Sequence, residues 1–252
     1  MTNRIELDDL LGNQADFEAR YRRELASAEA ELARNLPPAN GIEVAPAIPG
    51  TVVTVGAGRG FVVTGRRDRL VITAAHCLTR KGEVSLPPPM NFSYTQERTY
   101  PTLLGPLGKK PTVWAECLFV DPISDIAVLG PPDDQALYDE YNAYETLMEE
   151  ANDFPLTSAP MKGEAWTLSL KGMWKRCSVE HEFGVTLQIT NGLFKGGMSG
   201  SPIVLGNGAA IGVVTMGAGR DKFDNFQPSL SAHLPGWLLA DIRHRANTSI
   251  AE

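Results

Sequence analysis

Cysteine is scarce in this 252-residue sequence: there are three, Cys77, Cys117 and Cys177. An odd and sparse set, with no CxxC or Cys/His spacing, provides neither a disulfide framework nor a metal site, and three reduced thiols are the expectation. Long apolar runs are missing as well, since nothing approaches the roughly 18 consecutive residues a membrane span requires. The stretch from Met1 to Asp9 lacks the apolar core of a signal peptide, which points to a cytoplasmic protein with no membrane partner. Basic residues are outnumbered, 23 Lys and Arg against 30 Asp and Glu, for a net charge of −7. That balance excludes nucleic acid as the main partner, because phosphate binding is driven by clustered cations. What is present is a globular composition, 43% hydrophobic and 21% charged. A chain of this length forms one large β-rich or α/β domain, or two small ones.

Residues 3 to 36 read as helix, rich in Ala, Glu, Leu and Arg, with Phe17, Tyr21, Leu25, Ala28 and Leu32 on one face. Pro37 and Pro38 end it, because proline has no amide proton and clashes with the preceding turn. A linker runs from there to about Ile48. Beyond it the 24 glycines and 18 prolines of the chain punctuate short β-branched runs. These are Thr51 to Val55, Gly60 to Thr64, Leu70 to Thr73, Thr112 to Val120, Ile126 to Gly130, Ala165 to Leu170, Cys177 to Glu180, Val185 to Thr190, Ser201 to Leu205 and Ala209 to Met216. So many short strands predict an all-β fold of closed barrels rather than a parallel sheet. Two further helices are expected, Asp134 to Glu150 with Leu137, Tyr141, Tyr144 and Met148 on one face, and Pro235 to Arg245. The segment from Asp133 to Asp153 carries eight acidic residues and no Lys or Arg. It reads as a solvated face, or as a surface that steers a basic protein.

Three stretches carry chemistry. Val71-Ile72-Thr73-Ala74-Ala75-His76-Cys77 sets a histidine at the end of an apolar strand. Asp121-Pro122-Ile123-Ser124-Asp125-Ile126-Ala127-Val128-Leu129 sets an aspartate where a turn enters one. Gly196-Gly197-Met198-Ser199-Gly200-Ser201-Pro202 surrounds a serine with glycines, whose backbone freedom lets successive amide protons converge on one spot, as an oxyanion hole requires. Each alone has an ordinary structural reading: a packed histidine, a turn aspartate, a glycine-rich β-turn. Together, in the order His76, Asp125, Ser199 and each at a strand edge, they are specific.

From about Gly50 to Arg245 the sequence resembles the trypsin-like (chymotrypsin-fold) serine peptidases. Thr73 to Cys77 is similar to the family's histidine motif, Asp121 to Leu129 to the aspartate segment of bacterial HtrA-type members, and Gly197 to Pro202 to the bacterial GxSGSP motif. The resemblance implies two antiparallel six-stranded β-barrels, about 49–130 and 155–252, joined here by the acidic helical linker; the helical extension and linker over residues 1–48 are an addition that the family fold does not require. It implies a serine endopeptidase of bacterial type, acting on a protein substrate with no metal or organic cofactor. Ser199 would be the nucleophile, His76 the base and Asp125 its orienting carboxylate, with the amides of Gly197 and Ser199 as oxyanion hole.

Departures from the family bear on control and specificity. Met198 stands where activated members have an aspartate that pairs with a freed N-terminal amine, so that switch is not available. Cys77 has no cysteine on the preceding strand to bond. The resemblance places the substrate pocket at Leu193, Phe194, Thr215, Met216 and Gly217. Leu193, six residues before Ser199, argues against a preference for Lys or Arg; an apolar pocket for a small or medium side chain is expected, with an acidic preference left open by Lys195. The N-terminal helix reads as a brace over one barrel or as a handle for a regulatory protein. The second functional reading of the whole is a peptidase-fold binding or scaffold protein, held unproductive until a partner binds. His181, His233 and His244 have no motif around them and read as surface residues.

Overall fold

A computed structural model describes residues 48–65, 68–78, 99–121, 123–181, 186–189, 194–215, 229–234 and 238. The chain divides into units of residues 1–44 and 45–252, and the described residues all belong to the second. The expected N-terminal helix and, but for Leu238, the expected helix from Pro235 to Arg245 lie outside the described residues.

Twelve strands close into two antiparallel barrels. The first holds β1 (Val52–Val55), β2 (Gly58–Thr64), β3 (Arg69–Ala74), β4 (Thr99–Pro106), β5 (Val113–Asp121) and β6 (Ile126–Gly130), joined in the order β1-β2-β3-β6-β5-β4. The second holds β7 (Lys162–Leu168), β8 (Trp174–His181), β9 (Thr186–Ile189), β10 (Pro202–Val204), β11 (Ala210–Val213) and β12 (Ser229–His233), in the order β10-β11-β12-β9-β8-β7. Counted from the first strand of each barrel, the pairings are the same, so one connectivity is used twice. Closure leaves no strand edge unpaired. The expected pair of six-stranded barrels is what the chain forms.

Each barrel fills its own interior with β-branched and aliphatic side chains. Phe61, Ile72, Leu104, Ile126 and Leu129 are fully buried in the first, and Leu187, Ile189, Ile203 and Ile211 belong to the core of the second. Two strands escaped the sequence reading. One is β4, which contains Pro101 and Pro106, a register shift between Tyr100 and Leu104, and Thr102 at φ +50°. The other is the short β12.

Between the two barrels in sequence the described residues form one helix, α1 (Tyr138–Glu149), which starts four residues later than expected. The Asp133 carboxylate explains the delay: its Oδ1 accepts from the amides of Gln135 and Ala136 and holds a turn there instead. Tyr144 and Met148 are buried as expected, whereas Leu137 and Tyr141 are only half-buried. The Tyr144 hydroxyl donates to the Arg69 carbonyl at 2.7 Å, and Arg69 Nη1 donates to the Met148 carbonyl at 2.6 Å. The chain then crosses between barrels with Phe154 inserted edge-on against Phe61 of β2 (centroids 5.6 Å apart) and Trp174 of β8 (6.4 Å).

Candidate active site

Pairing of β3 with β6 sets Ala74 opposite Ile126, so the residues just beyond, Ala75 and Asp125, also meet. A 3-10 turn over Ala75–Leu78 follows β3 and presents His76. On the other side, Asp121 Oδ1 accepts from the amides of Ile123 (2.9 Å) and Ser124 (3.2 Å), folding the loop that delivers Asp125. Asp125 itself has φ +54°, a left-handed conformation that aspartate tolerates better than most residues. Its carbonyl accepts from the Ala75 amide (3.0 Å), its Oδ1 from the His76 amide (2.9 Å), and its Oδ2 lies 2.6 Å from His76 Nδ1. A carboxylate on Nδ1 fixes that nitrogen as the donor and leaves Nε2 as the base. The imidazole is half-exposed.

The serine loop is built from two consecutive turns. Gly197 (φ +88°) and Gly200 (φ +82°) supply the left-handed positions. Met198 donates its amide to the Lys195 carbonyl, Ser201 to Met198, and Gly200 to Val214, while Val214 donates back to Ser201. The loop of the second barrel is docked on β2 of the first: the Arg59 amide donates to the Ser199 carbonyl at 2.7 Å. Contact is close enough to require glycine. A Cβ on Gly58 would lie 2.5 Å from Cys77 Sγ and 2.7 Å from the Ser199 carbonyl oxygen, so Ser199 and the residue after His76 converge on one point of β2. A Cβ on Gly200 would run into the Arg59 carbonyl oxygen and Thr73 Oγ1.

His76 and Asp125 are thus in direct contact, and Ser199 is brought to the same strand. Among the described residues, neither the Ser199 hydroxyl nor the amides of Gly197 and Ser199 have a hydrogen-bond partner. Two N–H groups free of protein acceptors beside a serine are what an oxyanion hole needs. Phe194 and Met198 are buried in the core of the second barrel and Thr215 is buried; Leu193, Met216 and Gly217 lie outside the described residues. Met198 fits its place as an apolar core residue.

The three cysteines are buried and form no disulfide. Gly58 occupies the position facing Cys77, and burial raises that thiol to about 11. His181 and His233, read from sequence as surface residues, are instead half-buried with ring centroids 4.5 Å apart; His244 lies outside the described residues.

Sequence reasoning missed Arg59. Its side chain is 6% exposed, and Nη1 donates to the carbonyls of Leu168 (2.7 Å) and Ser169 (3.1 Å) and reaches Ser201 Oγ at 3.5 Å. Burial disfavours the cation and lowers its pKa. A lone arginine between two glycines in a strand was the available signal.

No family model and no curated protein matches the chain. Among solved structures it is similar to chymotrypsin-fold serine proteases. The active form of the Rv3671c protease from M. tuberculosis is 18% identical, with a TM-score of 0.45 over 79% of this chain and 82% of that one. The MamO protease domain from Magnetospirillum magneticum is 14% identical, TM-score 0.45, over 77% and 95%. The human pathogenic astrovirus serine protease is 14% identical, TM-score 0.42, over 74% and 88%. No helix among the described residues is long and apolar enough to cross a membrane.

Proposed function

We propose that the chain is a serine endopeptidase that hydrolyses peptide bonds of a protein substrate through Ser199, His76 and Asp125. The observation that carries this reading is the 2.6 Å hydrogen bond from His76 Nδ1 to Asp125 Oδ2, made where the serine loop docks on β2. A serine hydroxyl is a weak nucleophile until a base takes its proton. His76 Nε2 accepts that proton as Ser199 Oγ bonds to the scissile carbonyl carbon. Asp125 stabilises the imidazolium, and the amides of Gly197 and Ser199 bind the oxyanion, each donor lowering the barrier by about 3 kcal/mol in comparable sites. Collapse of the tetrahedral intermediate breaks the C–N bond, the imidazolium proton going to the leaving amine. Water then attacks the acyl-enzyme with His76 again as base, releasing the acid and restoring Ser199. The pocket residues proposed for the acyl side are Leu193, Phe194, Thr215, Met216 and Gly217, with an apolar rather than Lys or Arg preference.

A second reading is favoured by one observation, the absence of a hydrogen bond from the Ser199 hydroxyl to any described residue. In it the site is held unproductive until substrate or a partner closes it; the N-terminal segment would be the handle for such a partner. A fluorophosphonate probe separates the two. Labelling of the full chain that is lost in Ser199→Ala is expected for a competent peptidase. A folded wild-type chain that takes no label sinks constitutive competence and leaves the partner-dependent reading.

A further inference from the structure

Beside the serine loop lies a cavity of about 540 Å³, bounded by the turns β1–β2, β4–β5 and β7–β8 and by Gly197. We propose that this cavity is a carboxylate-binding subsite for the part of the substrate on the leaving-group side of the scissile bond, with Arg59 in its wall and Lys109 and Lys171 at its rim. The inference rests on the reading of Ser199 as nucleophile and extends it to substrate class.

Charge is the first argument. Arg59, Lys109 and Lys171 all line the cavity, and none of its described lining residues is acidic, in a chain whose net charge is −7. Arg59 is the second. The residue is more than nine-tenths buried, yet among the described residues all its side-chain hydrogen bonds run through Nη1 to neutral oxygens. Among the described residues no carboxylate pairs with the buried cation, and Nε and Nη2 donate to none of them. A buried cation without a counter-charge is costly, and an anion entering the cavity relieves that cost. A carboxylate suits the guanidinium fork, which presents parallel donors.

Position is the third argument. The cavity is lined by Gly197 but by none of Val213, Val214 or Thr215, the segment hydrogen-bonded to the other end of the serine loop. A peptide whose acyl portion follows that segment passes the Gly197 amide with its carbonyl and enters the cavity with its leaving-group portion. The carboxylate comes either from an Asp or Glu side chain or from a free chain terminus.

The test uses the full-length chain and paired peptides carrying Glu or Gln at each of the first three positions after the bond cut, each made with an amidated and with a free C terminus. At one position Glu is expected to exceed Gln in kcat/KM by about tenfold, the size of one charge-assisted contact. A tenfold advantage for the free terminus instead assigns the site to a terminal carboxylate. In Lys109→Gln/Lys171→Gln the Glu to Gln ratio is expected to fall toward one; each ratio is taken on a single protein, so a general loss of activity does not affect it. Arg59→Met is expected to abolish the preference too, and the lysine pair decides the matter should that variant fail to fold. Equal kcat/KM for Glu and Gln peptides with either terminus, or a ratio untouched by the lysine substitutions, overturns the subsite. A chain that cuts no peptide overturns the reading of Ser199 instead. The subsite is then decided by isothermal titration of acetyl-Ala-Glu-Glu-Ala-amide against its Gln counterpart, where equal or absent binding of both overturns it.

Discussion

Gly58 and Gly200 are the two positions at which side-chain atoms are excluded so that loops from different barrels can touch. Gly200 meets both constraints, a φ of +82° and a β2 carbonyl in the space of its Cβ, so Gly200→Ala is expected to lower unfolding free energy by at least about 3 kcal/mol. Urea denaturation measures this; a loss below about 1 kcal/mol contradicts the close docking. Asp125→Asn keeps a hydrogen-bonding shape but offers His76 Nδ1 the wrong partner, so kcat is expected to fall by roughly 10⁴ in a triad of this kind, with KM little changed. Steady-state kinetics checks it, and a fall confined to KM would make Asp125 a substrate contact. Cys77 supplies a pH dependence. Burial disfavours its thiolate and pushes the thiol up from 9.0 to about 11 in the fold. The fold therefore holds the proton longer than the unfolded chain does. This contribution to stability is complete below pH 9.0 and is lost as pH rises toward about 11. Over that window the urea midpoint of wild type is expected to decline more steeply than that of Cys77→Ala, and parallel declines would contradict it. At this scale the sequence made the convergence of His76, Asp125 and Ser199 legible, because each stands in a recognisable local setting: a strand end, a turn, glycines. Arg59 was not legible, since an arginine in a strand ordinarily faces water, and only the barrel seam shows that this one does not.

Strand patterning was readable wherever one face of a run is β-branched and buried, as in Ile126–Gly130, all of whose residues are buried. It failed at β4, where two prolines and a bulge erase the alternation and pairing with β1 and β5 is what holds the strand. The same limit applied to α1, whose start is set by a carboxylate bonding forward into a turn. The helix is held to the first barrel by a reciprocal pair of side chain to backbone bonds, Tyr144 to the Arg69 carbonyl and Arg69 to the Met148 carbonyl. Tyr144→Phe keeps the packed ring and removes one donor, so about 1 kcal/mol is expected to be lost, whereas Tyr144→Ala empties a fully buried site and is expected to cost about 3–5 kcal/mol. Equal losses in the two variants, measured by chemical denaturation, would show that the hydroxyl rather than the ring anchors the helix.

On the scale of the whole molecule, the three residues proposed for catalysis come from both barrels: His76 and Asp125 from the first, Ser199 from the second. Their geometry is only as firm as the seam between them. That seam is made of a few strong ties: the Arg59 amide on the Ser199 carbonyl, the Arg59 guanidinium on the Leu168 and Ser169 carbonyls, and Phe154 wedged between Phe61 and Trp174. Because Arg59, Phe61, Phe154 and Leu168 are all buried, the barrels cannot part without exposing surface that the seam covers. The two are expected to unfold in one cooperative transition, as strongly coupled units do. Segment-resolved hydrogen exchange at rising urea reads this directly: β6 of the first barrel and β11 of the second are expected to lose protection together. Phe154→Ala removes a ring that touches both barrels, so it is expected to cost about 3–5 kcal/mol and to shift both strands by the same amount. Loss of protection in β11 at a lower urea concentration than in β6, in wild type or in this variant, would mean that the second barrel opens on its own, and the serine loop would then be free to leave β2 while His76 and Asp125 stay paired.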